Sequence, residues 1–364
     1  MTTSFKIDFR NQIEQHQHMD LLTRRSRLFT GYLCNIKCKF CFYKDLKHVD
    51  MKDEISDQLH AGFSYGIKDW DISGGEPTML PYWFLLLSYM KDELGADRIA
   101  VITNGYELSD INFFEESIDC GLNEVLFSLH GSCEEVHDGM TGVKGSYRKI
   151  RKAIDHAMKL GVFIRINTVV AKDNYKDIPK IAELANQINP ECFNFLPFRL
   201  ENTASQDNMV TFTESMPYVK ESIDILDKKM RINVRYVPFC VMEGYEKYLC
   251  MYKQRMFDPY EWSEHIIHWS EKIRHGQSPP PLELNGSKWD LETNAIQSTL
   301  RSITIQPFCC LKCSYLYICD CIWATYDSKW GTEEFKTVYG DRVTDILYFK
   351  GISDGHLRSR ASRL

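Results

Sequence analysis

Cys34-Asn35-Ile36-Lys37-Cys38-Lys39-Phe40-Cys41 carries three thiols spaced C-x3-C-x2-C, directly after an apolar run. Three thiolates this close can hold one face of a cubane iron–sulfur cluster, yet a [4Fe–4S] cluster takes four ligands. One iron would then stay open to a small molecule, which suits chemistry better than electron storage. Read alone, the octet also fits a zinc knuckle, a partial ferredoxin motif or chance clustering, although zinc sites usually pair two-cysteine clips into four ligands.

Outward from the octet the chain alternates strand and helix. Leu28 to Leu33 is read as the first strand, and Asp50 as the cap of a helix carrying Ile55, Leu59 and Phe63. Ile67 to Ser73 is the second strand, followed by a helix from Pro81 to Leu94, a strand from Arg98 to Ile102, and a helix capped by Ser109 that stops at Gly121. Val125 to Leu129, Val162 to Val170 and Cys192 to Pro197 are the next strands. Between them lie a helix from Ser146, closed by Gly161, and one from about Asn174. Six such units imply a parallel sheet with helices outside. Right-handed crossovers would curl it into an open, partial (β/α)6 TIM-like barrel of the α/β class. After Arg199 the rhythm ends. We expect an N-terminal arm over 1–25, the barrel over 26–205, a connecting region over 206–300, and a small cysteine-rich domain with its tail over 301–364. Gly276 to Pro281 is the clearest linker.

Residues that do chemistry in parallel sheets sit beyond the C-terminal strand ends. The cysteine loop, Ser73-Gly74-Gly75-Glu76-Pro77, Thr103-Asn104-Gly105, and Ser128 with His130 all fall there. Arg165 and Asn167 alternate with apolar neighbours in strand five and should face the lumen. A buried arginine needs a carboxylate partner, such as one on a cofactor or substrate.

The 364-residue chain has a net charge of −6, 44% hydrophobic and 26% charged residues, values of a soluble globular protein. The charge argues against nucleic-acid partners, and the short basic tail Arg358 to Arg363 reads as a solvated end. Met79 to Met90, the longest apolar segment, is too short to span a bilayer, and residues 1–20 lack the order of a signal peptide, so no membrane role is expected. Thirteen cysteines without an export signal should be thiols or metal ligands in the cytoplasm. Eight fall in two clusters, Cys34/Cys38/Cys41 and Cys309/Cys310/Cys313/Cys319/Cys321.

The octet, with Phe40 before its third cysteine, resembles the signature of the radical S-adenosylmethionine (radical SAM) superfamily, and the Gly-Gly-Glu-Pro and Thr-Asn-Gly segments fit that family in order. The resemblance covers about residues 26 to 200 closely and 230 to 330 more loosely. It implies a catalytic [4Fe–4S] cluster on Cys34, Cys38 and Cys41, with SAM chelating the open iron and a C–S bond of its sulfonium cleaved by an electron from the cluster. An external donor such as flavodoxin or ferredoxin would supply that electron. It further implies that Gly74, Gly75 and Glu76 serve the SAM methionine moiety, that Phe40 packs beside the adenine, and that Asn104 and Ser128 bind ribose or carboxylate, with Arg165 and Asn167 as further cofactor-binding residues. His137, Asp138, Thr141 and Gly142 match a family stretch that orders the loop into the next helix.

The second cysteine cluster looks like the C-terminal half of the SPASM or twitch domains that hold auxiliary [4Fe–4S] clusters. Cys240, Cys310, Cys313 and Cys319 would be its ligands, with zinc the rival metal. Cys309 and Cys321 would be spare thiols, as hydrogen donors or soft ligands. By analogy with relatives holding one auxiliary cluster, a small-molecule substrate of sugar or nucleoside type, held between barrel and C-terminal module, is preferred over a peptide of the RiPP kind. Cys-Cys-Leu-Lys-Cys also resembles a motif of arsinothricin biosynthesis, where a 3-amino-3-carboxypropyl group passes to arsenite, although Phe308 stands where arginine is expected. The rival from another class is a non-enzymatic iron–sulfur or zinc protein.

Overall fold

The computed structural model describes residues 22–43, 46–47, 49, 51–198, 206–277 and 287–350. The expected arm up to residue 21, the Asp50 cap, the prolines of the linker and the basic tail lie outside the described residues. Those described fall into two bodies. One holds 24–198, 206–235 and 266–277, the other 22–23, 236–265 and 287–350.

The first body is built on β1 (Arg25–Phe29), β2 (Asp69–Ser73), β3 (Arg98–Thr103), β4 (Glu124–Ser128), β5 (Phe163–Val170), β6 (Cys192–Pro197) and β7 (Arg231–Arg235). These lie side by side in sequence order and every pairing is parallel. The intervening helices are α1 (Lys52–Tyr65), α2 (Trp83–Ser88), α3 (Ile111–Asp119), α4 (Glu134–Thr141), α5 (Ser146–Leu160), α6 (Ile178–Ile188) and α7 (Phe212–Ile225). Each buries one apolar stripe. Ile150, Ala153, Ile154 and Ala157 of α5 and Ile178, Ile181 and Ala185 of α6 are fully buried, the spacing of a helix that covers a sheet. On α1, Gly62 is small because the Trp70 indole of β2 fills the space a side chain would take.

The opposite face of the sheet encloses a lumen, and its floor is charged. Arg25 Nη1 donates to Asp71 Oδ1 at 2.6 Å and Nη2 to Glu124 Oε2 at 3.0 Å, while Arg165 pairs with both carboxylates. All four side chains are almost fully buried. In a flat sheet β1 and β5 would stand roughly 19 Å apart, at about 4.8 Å per strand. Two arginines from those strands reach the same aspartate only because the sheet curls into a partial TIM-like barrel.

Several boundaries differ from the sequence reading, each for a local reason. β1 begins at Arg25 and ends at Phe29, earlier than the expected Leu28 to Leu33. The backbone of residues 30–33 is committed elsewhere: Thr30 N–H donates to Ser73 O, while Gly31 O and Leu33 O accept from Gly75 and Glu76. Asp110, not Ser109, caps α3, its carboxylate accepting from the N–H of Asn112 at 2.9 Å. The helix expected from Pro81 is α2 followed by a π turn over Tyr89–Glu93. The barrel body runs past 205 to Arg235, because β7 pairs with β6 in register from Cys192↔Arg231.

In the second body Ile322–Trp323 pairs antiparallel with Thr304–Ile305. Buried Glu292 gathers the N–H groups of Glu264 (2.9 Å) and His265 (3.3 Å), and Arg255 donates to Glu264 at 2.8 Å.

Asp71→Ala leaves Arg25 and Arg165 facing a single carboxylate in a buried site. We expect a loss of about 3–5 kcal/mol of stability, read as a lowered midpoint in denaturant unfolding with little change in slope.

Candidate functional site

The cysteine loop is held from below by the segment after β4. Lys37 and Lys39 N–H donate to Thr141 O and Met140 O, both at 3.0 Å. Gly142, at φ +70°, lies so close that a Cβ would come within 2.7 Å of Lys37 O. Asp138 anchors this arrangement by accepting from Gly145 N (2.5 Å), Ser146 Oγ (2.8 Å) and Tyr147 N (2.8 Å) at the start of α5. Burial raises the Asp138 carboxyl, but these donors outweigh it and hold the group below the usual carboxylate range. The His137-Asp138 stretch therefore orders the loop into α5.

His130 and His137 form a stacked pair rather than an acid–base couple, their rings 6.0 Å apart. His137 Nδ1 accepts from the His130 backbone N–H at 3.1 Å, and His130 Nδ1 from Val169 N–H at 3.2 Å. Burial pushes His137 down to about 4 and His130 well below its usual value, so both are neutral. Phe40 meets His130 edge-on at 4.7 Å.

The turn after β2 is pressed against the stem of the cysteine loop. A Cβ on Gly74 would come within 2.5 Å of Gly31 O, and one on Gly75 would overlap the Leu33 carbonyl. These glycines are required by backbone meeting backbone, in addition to any approach by a ligand. Glu76 is 2% exposed. Its Oε1 accepts from Thr78 Oγ1 (2.6 Å) and Thr103 Oγ1 (2.7 Å), its Oε2 from Asn104 N–H (2.8 Å). Burial raises this carboxyl although every one of those donors opposes the shift. Asn104 in turn donates from Nδ2 to Asn35 Oδ1 at 2.7 Å, inside the octet. Glu76 thus ties the ends of β2 and β3 to the cysteine loop. Asn35, Thr78 and Thr103 complete the node; Asn35 and Thr103 stood inside recognised segments but had no role of their own, and Thr78 was missed, because polar residues beside turns carry no distinguishing spacing.

In the lumen, Arg165 requires a correction. Its carboxylate partners are Asp71 and Glu124 of the barrel floor, because a fully buried guanidinium finds fixed counter-charges on the adjacent strand β4 and, across the curled sheet, on β2. Ser128 and Asn167 are half-buried and directly opposite in the β4–β5 register. Asn167 Oδ1 accepts from Asn194 Nδ2 at 2.7 Å.

In the loop itself, burial pushes the Cys34 thiol up to about 11 and Cys38 well above the usual range. Neutral thiols in such a place release protons when a cation binds. Three sulfurs on one short loop are a soft donor set, and the residues present fit an iron–sulfur cluster.

In the second body, Cys240, Cys310, Cys313, Cys319 and Cys321 line one small cavity with Phe239 and Tyr315. Cys309 is not among the lining residues, and its carbonyl accepts from Thr337 Oγ1 at 2.7 Å. Cys321 has φ +67°, and its N–H donates to Cys319 Sγ at 3.4 Å. Burial pushes Cys240 up to about 12, and hydrogen bonding with Cys310, then burial, raises Cys321 to about 12. With five thiols in its lining, this pocket fits a cluster as well. Cys250 lies with Asp258 and Glu261 in a buried trio whose donor atoms are within 4.8 Å of one another.

A family profile described as "Radical SAM superfamily" matches residues 28–185, the stretch from β1 into α6 that carries the cysteine loop, the glycine turn and the Glu76 node. Residues 28–185 form a radical SAM domain. The chain is 29% identical over 161 residues to "GTP 3',8-cyclase" of Rhizobium leguminosarum bv. trifolii, covering 42% of this chain and 45% of that protein. It is 26% identical over 205 residues to "Fe-coproporphyrin III synthase" of Methanosarcina barkeri, covering 54% and 49%. The chain thus spans about half the length of these curated relatives, which are named as enzymes. Streptococcus suis SuiB bound to S-adenosylmethionine has the same fold, with a TM-score of 0.57 at 16% identity over 91% of this chain and 80% of that one. So does anSMEcpe with bound AdoMet and a Cp18Cys peptide, at 0.52 and 15% over 93% and 98%. Among the described residues no helix is long and apolar enough to cross a membrane.

Gly75→Ala should separate the glycine turn from the cysteine loop. We expect a lower melting temperature and a fall in iron bound per chain after anaerobic reconstitution, measured by colorimetric iron assay. His137 supplies a pH signature. Its folded value, about 4 against a usual 6.5, means the unfolded chain binds more protons between those values, so stability falls as pH drops from 6.5 towards 4. A His137→Gln variant should show a shallower loss over that window in urea titrations.

Proposed function

We propose that this chain is a radical SAM enzyme in which Cys34, Cys38 and Cys41 hold a [4Fe–4S] cluster with one iron open to S-adenosylmethionine. The cluster would supply the electron that cleaves the sulfonium C–S bond. The protein's own residues do the rest. Glu76, saturated by Thr78, Thr103 and Asn104, acts on the methionine moiety through the backbone of its turn rather than as a bare carboxylate. Asn104 holds the octet through Asn35. Phe40, braced by His130, gives the loop an apolar wall for the adenine, and Ser128 and Asn167 offer polar contacts from the lumen. The floor of buried ion pairs closes the lower end of the barrel, so reactants enter from the cysteine-loop end and water is excluded from below. The observation that carries this reading is the convergence of the β1, β2 and β3 loops on Glu76.

For the second body we propose an auxiliary [4Fe–4S] cluster on Cys240, Cys310, Cys313 and Cys319, supported by the shared cavity, with Cys321 as the spare thiol beside it. A small-molecule substrate of sugar or nucleoside type is supported by the name of the GTP 3',8-cyclase relative, and flavodoxin or ferredoxin would be the donor. The reduced thiols suit the cytoplasm.

The test is anaerobic reconstitution, then dithionite and SAM, with nucleoside products separated by liquid chromatography. 5′-Deoxyadenosine or methylthioadenosine should form, and Cys38→Ala should abolish it. Iron and sulfide near eight each per chain support two clusters. Stoichiometric zinc on the first triplet, or intact SAM after reduction, would overturn the reading.

A further inference from the structure

The lumen carries a row of amides that no comparison assigns. Asn167, Asn194 and Asn233 stand at one level on β5, β6 and β7, paired Asn167↔Asn194 and Asn194↔Asn233. Ser128 continues the row on β4. Asn194 and Asn233 are buried, at 0% and 1% exposure, and buried amides need partners. They find them in series. Asn233 Nδ2 donates to Cys192 Sγ at 3.8 Å, the Cys192 thiol to Asn194 Oδ1 at 3.3 Å, and Asn194 Nδ2 to Asn167 Oδ1 at 2.7 Å. Cys192 and Asn194 are two residues apart on one strand and so share a face.

The direction of this chain matters. The shorter sulfur step suits a thiol hydrogen on an amide oxygen, and the longer one suits sulfur as a weak acceptor. With its oxygen taken by Asn194, Asn167 has its Nδ2 left over. Asn167 is half-buried, in register with Ser128, two residues before the His130 that braces Phe40. We propose that Cys192 and Asn194 are positioning residues that fix the Asn167 amide with Nδ2 towards the lumen, where it donates to a ribose or carboxylate oxygen of S-adenosylmethionine. Buried hydrogen-bond chains of this kind specify one orientation, since reversing one member leaves its neighbour unpaired. The inference rests on the proposed function, because it takes SAM to bind at this end of the barrel.

Reconstituted full-length protein titrated anaerobically with SAM by calorimetry provides the test. Asn194→Leu, which frees the Asn167 amide to turn over, should weaken SAM about tenfold, or about 1.4 kcal/mol, with the cluster absorption spectrum unchanged. Asn167→Asp replaces the donor with an acceptor. It should weaken SAM at least as much and regain affinity as the pH is lowered and the carboxyl gains a proton, a response a purely structural role would not give. Cys192→Ser keeps a hydroxyl in the relay and should bind SAM within about twofold of the wild type. Should Asn194→Leu not fold, Asn194→Ser, whose shorter side chain does not reach Asn167, takes its place. Wild-type affinity in both Asn194→Leu and Asn167→Asp overturns the relay, whereas a reconstituted wild type that binds no SAM overturns the proposed function itself.

Discussion

Gly75 has room for a hydrogen and nothing larger, because the carbonyl of Leu33 occupies the space where a side chain would begin. The stem of the cysteine loop and the turn after β2 are therefore in backbone contact, with Gly75 donating to Gly31 O and Glu76 to Leu33 O. From that contact the position of Glu76 follows, and from Glu76 the position of Asn104 and Asn35. The three thiols proposed to meet one face of a cluster could not do so from an unsupported loop. Here they are braced on one side by the glycine turn and on the other by Thr141 and Met140 of α4.

The two ends of the barrel show opposite use of polar groups. At the floor, two arginines and two carboxylates are taken fully out of water, an arrangement that gains little net stability but is costly to break. It commits all four charges to each other and leaves none of them to contact a ligand. Higher in the lumen the polar groups are neutral amides and a hydroxyl, which bind without a large desolvation cost and can be aimed. Charge closes the barrel, and neutral hydrogen bonding is left for recognition.

The second body repeats the logic of soft ligands with a different supply. Five thiols share one cavity where four would complete a cubane. The left-handed backbone at Cys321 turns that thiol towards Cys310 and Cys319. Cys309, next to Cys310 in sequence, lies outside the lining yet stands close enough to act on Cys240.

Spacing alone was enough to recognise the cysteine triplet, the parallel strand–helix alternation and the partial barrel. A 3-then-2 gap between thiols and the switch from period two to period 3.6 are local properties of the chain. The placing of Gly74, Gly75 and Asn104 beyond strand ends was legible for the same reason, as was the structural part played by His137 and Asp138. What the sequence could not determine was which partner each polar side chain would choose. Arg165 reads as a lone lumen cation until curling of the sheet brings Asp71 from β2 and Glu124 from β4 to it. Glu76 reads as a free carboxylate until Thr103 and Asn104 close on it. Asn194 does not stand out until β5, β6 and β7 fall into register. Those choices belong to the tertiary structure, because hydrogen bonds and ion pairs between strands depend on register and curvature, which no stretch of sequence encodes by itself.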